Sequence, residues 1–475
     1  MDVEGKRMAK DGAKMVKNRN TLVAVLLLGA FVAVFNQTIM LTATPHLMDE
    51  FSLTENSAQW VTTIFMLING IMIPLSAFLM ESFTSRKLYM FSIMTFIAGT
   101  IVCAISFNFP MLMIGRIIQA IGAGIIFPLM MTIFMLVFPV ERRGFAMGIS
   151  GLVISFAPAL APALSGWMIE FLPWRSVFYV IIPIAIIDLL AAYFFMRNII
   201  ELTHPKVDVL SIVLSIFGFG GLLYGFSSAG NYGWTNVYVY SSILVGSVSL
   251  VWFILRQFKL RQPILEFRVF QYNVFSITIV IGMIAFSTLI ATETILPIYM
   301  QVMAGFNALE AGLVILPGAL LSGFLSPLVG KIFDAIGARW LLIIGLFVMT
   351  ATTLFFTNLT AETSLLFLIV AFAARMVGLS MVAMPATTAG LNVLPNRLIP
   401  HGTAMMNTMR QVAASIGTGL FITIMTTAAK DEKVHGIEGL IHGVNVSFYA
   451  MTILTALAFL LSFFVEKKRK SAVST

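Results

Sequence analysis

LMIGRIIQAIGAGIIFP at residues 112–128, a basic turn ERRG at 141–144 and APALAPALSG at 157–166 decide how this chain folds. Arg116 sits inside a segment too apolar and too long to be anything but membrane-embedded. A guanidinium at that depth costs several kcal/mol, so it marks a function or a specific partner. Small residues recur at Gly115, Ala120, Gly122 and Gly124, and again at Ala157, Ala161, Ser165 and Gly166. They let two helix backbones approach closely where lipid offers no hydrophobic drive. Pro158 and Pro162 each remove a helix hydrogen bond from the second segment and bend it.

Of 475 residues, 59% are hydrophobic and 11% charged, which excludes a soluble domain with a polar shell and makes lipid the solvent. A crossing needs about 20 mostly apolar residues. Fourteen stretches qualify: 21–44, 58–80, 88–106, 110–138, 145–169, 175–196, 209–228, 236–255, 273–300, 309–330, 340–357, 363–388, 402–427 and 444–465. The first reads as a retained signal-anchor. Cys103 stands alone, so no disulfide framework exists. Placing the N-terminus and alternate loops on one side gathers almost all Lys and Arg there, leaving only Arg175, Lys430 and Lys433 opposite. Both termini are therefore expected in the cytoplasm, and the net charge of +8 reads as topology and not as a nucleic-acid footprint.

The chain also repeats itself. In the loops at 74–87 and 327–339, Pro74 matches Pro327, Ala77 Gly330, Glu81 Asp334, Thr84 Gly337 and Arg86 Arg339, all at one constant offset. Nearly the same spacing lays NQTI of the first span over TETI of the ninth, so Gln37 stands where the other half has Glu293. The expected architecture is all-α: two related six-helix halves at 21–200 and 273–466, joined by two inserted helices at 201–272. Cytoplasmic segments are expected at 1–20 and 467–475. Paired halves around a midplane site are a common transporter plan. A carboxylate near a helix end, a tight turn and a basic pair can latch neighbouring helix ends. Glu81, Arg86 and Lys87 in one loop, and Gly330, Asp334, Gly337 and Arg339 in the other, are the expected gating residues.

RIIQAIGAG at 116–124 resembles the helix-4 motif of major facilitator antiporters, and APALAPALSG resembles the antiporter motif of their helix 5. With the two loop motifs, the WRSVF turn at 174–178 and RQVAASIG at 410–417, essentially the whole chain resembles the fourteen-helix drug:proton antiporter branch of the major facilitator superfamily. It is similar in layout to bacterial lincomycin- and quinolone-resistance pumps. The resemblance implies that Pro158, Pro162 and Gly166 line the interface between the halves, where leucine at Gly166 or Ala161 is expected to wedge them apart. Two departures stand out: Asn36 where the branch usually has an aspartate, and Thr84 where glycine is usual.

Proton coupling then needs another acid. The ionisable residues inside spans are Arg116, Asp188, Glu293, Arg375 and Arg410. Glu293 is the first choice; at about 1.5 Å rise per residue it lies at the depth of Arg116, which leaves a pairing of the two geometrically open. Asp188 is second, and Arg410 is expected to snorkel. Asn36 and Gln37 either bond a neighbouring helix or, as their adjacency favours, line a wet cavity with Gln119 and Glu293.

No GxxxxGK[ST] phosphate loop, nucleophile with its base or metal-ligand set is legible, so neither enzyme chemistry nor a metal or other cofactor is expected. The expected partners are a small-molecule substrate, protons and the lipid bilayer, with no nucleic acid, for a monomer in the bacterial cytoplasmic membrane. The leading expectation is proton-driven export of lipophilic or amphipathic drugs; 41 Phe and 30 Met suit a promiscuous cavity. The alternative is a dedicated exporter of one metabolite, lipid or signalling nucleotide. A channel or static scaffold has no use for two matched latches.

Overall fold

The computed structural model describes residues 19–203, 205–430 and 432–465. The expected flanking segments and their basic clusters at 6–17 and 467–470 lie outside the described residues. Among the described residues, fourteen helices are long and apolar enough to cross a membrane. They are α1 (Arg19–Phe51), α2 (Glu55–Ser82), α3 (Ser85–Ala104), α4 (Phe109–Val137), α5 (Arg143–Phe171), α6 (Ser176–Phe195), α7 (Val209–Tyr232), α8 (Val237–Lys259), α9 (Asn273–Ile298), α10 (Ala308–Ile336), α11 (Ala338–Phe355), α12 (Leu365–Asn392), α13 (Ile399–Ala428) and α14 (Glu432–Ser462). Each expected span falls on one of these. Among the described residues there is no strand, as follows when the backbone must satisfy itself in lipid.

Local chemistry sets the helix starts. Asn108 accepts a hydrogen bond from Met111 N–H at 2.8 Å ahead of Pro110, and Asn307 with Glu310 closes a capping box on α10. Thr84 caps α3 in extended backbone, so glycine is not needed there. At the matching position Gly337 has φ +85°, which glycine alone adopts freely.

Two apolar clusters form the core, one centred on α1–α6 and one on α9–α14, the first extending onto the inner turns of α12 and α13. α7 and α8 form a hairpin closed by small residues, Gly221 against Gly246 and Ser242. Asp208 and Arg256 clamp it with two bonds of 2.7 and 2.9 Å, and the guanidinium holds the Asp208 carboxyl below the usual carboxylate range. α7 packs across the seam between α2 and α13. Tyr224 stacks on Trp60 of α2 at 5.8 Å, Phe226 lies at Gly419 of α13, and Trp234 donates to Thr423 at 2.6 Å. α8 lies outermost, burying little beyond Val239, Gly246, Phe253 and Gln257.

Candidate functional site

Arg116 and Arg375, one in each half, are both buried and are held differently. On α4, Arg116 is fully buried and donates to the carbonyl oxygens of Val61 (3.1 Å) and Asn36 (3.3 Å) and to Gln119 Oε1 (3.1 Å). It lies 4.3 Å over the Phe65 ring. Gln119 in turn donates to Thr100 at 2.9 Å and to Asn36 Oδ1 at 3.5 Å. Asn36 and Gln119 are both fully buried in this network and so knit helices together; they do not line a cavity as expected. Gln37, one residue on, is half-buried.

On α12, Arg375 is 1% exposed, and its Nε donates to Thr353 Oγ1 at 3.1 Å. Glu293 of α9 interacts with it electrostatically, with no ion pair within 4.0 Å between them. Arg116 and Glu293, whose shared depth left a pairing open, do not bond each other among the described residues. Arg116 bonds two backbone carbonyls and Gln119 within its own half, and its Nη2 is buried without a partner. Glu293 is half-buried in the middle of a span. Arg410 does not snorkel; it is buried and donates to Ala383 O at 2.9 Å and to Thr387 Oγ1. Asp188 of α6 is fully buried, with Tyr89 of α3 donating to its Oδ2 at 2.8 Å and to Val25 O of α1 at 3.0 Å. It sits inside the first six-helix bundle, away from the other half.

Bonds joining the two halves gather at the end bearing the basic loops. Asp334 accepts from Gly144 N–H at 2.7 Å and Phe145 N–H at 2.9 Å. α5 has no side-chain cap of its own, so a carboxylate from the other half supplies it, where the helix dipole favours an anion. Glu81, the matching residue, lies 3.0 Å from His401 Nε2 in the first turn of α13, which likewise lacks a side-chain cap. Thr132 and Thr403 bond at 2.6 Å, and Arg143 reaches Asn392 at 3.0 Å. The basic members of the loops do not take part in this pairing: Arg86 donates to Tyr193 O within the first half, Lys87 is exposed and Arg339 half-buried.

α5 and α10 continue the closure inward. Gly144 abuts Gly330, Gly148 abuts Ser326 and Pro327, and Phe156 meets Phe324 edge-on at 4.8 Å. Gly166 has no atom within 4 Å, and Ser165 bonds Thr42 of its own half at 2.5 Å. In this conformation the seal thus uses the glycine end of α5, not the end at Gly166, while half-buried Pro158 and Pro162 lie between the two.

The family model described as Major Facilitator Superfamily matches residues 26–418. The chain belongs to the Major Facilitator Superfamily. Among solved structures of that fold, the proton:xylose symporter XylE superposes with a TM-score of 0.65 at 14% identity, covering 95% of this chain and 97% of that one. The uncharacterized MFS-type transporter YcnB of Bacillus subtilis is 51% identical over 96% of this chain and 97% of its own. The lincomycin resistance protein LmrB of Listeria monocytogenes is 40% identical over 94% of this chain and 97% of its own. The multidrug export protein EmrB of Haemophilus influenzae is 27% identical over 84% and 79%.

As a major facilitator, the chain is a multi-pass membrane transporter of small molecules. Sequence reasoning had named Arg375 without a partner and overlooked His401, Tyr89 and Thr353. Thr353 was findable, since it matches Thr100 at the offset of the loop repeat. Gly144, Gly148 and Gly151 were findable too, as a small-residue stripe at helical spacing. His401 had no signal, because only the fold brings it to Glu81.

Proposed function

We propose that the chain is a proton-coupled antiporter that exports lipophilic or amphipathic drugs by alternating access. The likeness to a lincomycin resistance protein along nearly the full length of both chains supports a drug as cargo. Glu293 carries the coupling. It is a carboxyl deep in a span, partly open and without a hydrogen bond, and a carboxyl withdrawn from water exchanges a proton at little cost. The two halves, 21–200 and 273–466, rock about the insert at 201–272. The basic-loop end is cytoplasmic, so the closed latches make this the outward-open state of a single working chain in the bacterial cytoplasmic membrane.

A proton entering from outside neutralises Glu293 and releases the drug; closure then carries the proton inward. Exchange follows if the empty carrier cannot reset. The test is Glu293→Gln in cells challenged with lincomycin and ethidium, and in inverted vesicles where drug addition drives proton efflux. Coupled flux is expected to vanish while the protein folds normally. Flux at the wild-type rate overturns the assignment, and export of a single metabolite in place of both drugs overturns the cargo.

A further inference from the structure

Both linkers of the insert run to the same place. The first, between α6 and α7, is pinned to the first half: Ile199 and Ile200 N–H donate to Ser85 Oγ at 3.4 and 3.2 Å, and Thr203 N–H donates to the Glu81 carbonyl at 3.2 Å. The second, between α8 and α9, is pinned to the other half, where Glu266 N–H donates to His401 Nδ1 at 3.3 Å. Since Nδ1 accepts there, Nε2 carries the imidazole hydrogen and donates it to Glu81 Oε1 at 3.0 Å. The two residues that join the halves here, Glu81 and His401, therefore also hold one linker each.

The linkers are buckled to each other at the base of the α7–α8 hairpin. Asp208, where α7 begins, takes both bonds of Arg256, in the last turn of α8. Ser211 donates to Asp208 Oδ2 at 2.5 Å and accepts from Gln257 Nε2 at 2.8 Å, while Gln257 Oε1 accepts from Ile264 N–H of the second linker at 2.8 Å. Ser211 and Gln257 are both buried, so no water replaces these bonds once they break. Aromatic packing makes a second tie. Phe219 of α7, Phe253 of α8 and Phe267 of the second linker meet edge-on at 6.1 and 6.0 Å, and Phe267 continues through Phe270 to Phe275 of α9 at 6.5 and 5.7 Å.

Followed from Thr203 through the buckle to Glu266, and back through His401 and Glu81, the hydrogen bonds close a circuit that runs through both halves and the insert. With Ile264 held by Gln257, two residues of chain reach the pin at Glu266, about 7 Å when fully extended. The slack on that side is small. We infer that the base of the insert is a strap across the basic-loop end: it holds the two linkers together, resists the parting of Glu81 from His401, and comes apart at Gln257–Ile264 when this end opens. This rests on the alternating-access reading, and it gives the inserted pair of helices a task at the gate.

The test uses the full-length chain in membranes, with a cysteine at Asn407 labelled by maleimide from the basic-loop side. Gln257→Leu removes the bonds to Ser211 and Ile264 and touches neither half; labelling is expected to speed up about five-fold, the weight of one ordinary hydrogen bond in a two-state equilibrium. Arg256→Gln, at a side chain 34% exposed and so tolerant of change, is expected to act in the same direction. Labelling at the wild-type rate in the folded variants overturns the inference; should Gln257→Leu not fold, Arg256→Gln decides alone. Tyr89→Phe loses a buried bond inside one half and is expected to leave the rate unmoved. An equal acceleration there would mean that labelling follows stability, and it too overturns the strap. Gly148→Leu separates the two readings, because it parts the halves without touching the insert. If it fails to speed labelling, alternation at this end is wrong; if it succeeds and the insert variants do not, the strap alone is wrong.

Discussion

Tyr89 and Asp188 meet in the first bundle, far from the other half's carboxyl. The phenol spends one proton on two acceptors, Asp188 Oδ2 and Val25 O, tying α6, α3 and α1 together at one point. Tyr89→Phe leaves the carboxyl buried without a donor and is expected to cost about 1–3 kcal/mol. The melting temperature should fall while the pH profile of transport stays that of the wild type; a displaced profile would return Asp188 to the coupling pathway. At the opposite end from the latches, Glu50 binds Arg175 at 2.7 Å and accepts from Trp174 Nε1 at 2.5 Å. Bonding to Arg175 holds the Glu50 carboxyl below its usual range. A carboxyl lowered in the folded state adds stability that is present above its unfolded value and lost as pH falls through the folded one. The wild type should therefore lose thermal stability below about pH 4.3 more steeply than Glu50→Gln. Parallel curves would show that the cluster contributes nothing.

Among elements, α5 is the one whose two ends meet different fates. Its first turns lie so close to α10 that a Cβ at Gly148 would come within 3.0 Å of Pro327 Cα and closer still to the Ser326 carbonyl. Leucine there overpacks the contact, at about 1–3 kcal/mol, and holds the basic-loop end ajar. Leucine at Gly166 meets open space in this conformation, so its cost falls on the opposite one. A cysteine placed at Asn407, behind the Thr132–Thr403 bond, reads the difference. Maleimide labelling from the basic-loop side should speed up in Gly148→Leu and not in Gly166→Leu. Equal labelling in both would mean that the glycine end of α5 is not the seal.

At the scale of the whole molecule, the repeat has become a crossed pair of contacts. Glu81 meets the His401 side chain in the first turn of α13 and Asp334 caps the start of α5, each reaching into the other half. Each contact needs the halves to be closed at this end, so both should bias the equilibrium the same way. Asp334→Asn loses the charge at the helix terminus and is expected to shift populations toward the open end by about 0.3–2 kcal/mol. With Glu81→Gln added, the shift should grow further, by the sum of the two single effects if the contacts act independently. Spin labels on the ends of α5 and α10 would measure it, and distances unchanged in the double variant would remove the latch from the mechanism. The insert is linked to both halves on one flank, through Trp60–Tyr224 and Trp234–Thr423, so opening on that flank must move or break one of these contacts.

Hydropathy, loop charge and the repeated motifs were enough for fourteen spans, two halves, the paired carboxylates and the presence of buried charges, because each depends on local composition or on copies at a fixed offset. The partners were not legible. Arg116 and Glu293 share a depth but not a half, and depth along a helix says nothing about which way the side chain faces. Gly166 belongs to a motif, yet which end of α5 closes depends on the conformational state, which no local pattern encodes. Only the packed bundle could give Asp334 to the start of α5, Glu81 to His401 and Asp188 to Tyr89, since in lipid a polar group takes whichever donor the neighbouring helix face brings within reach.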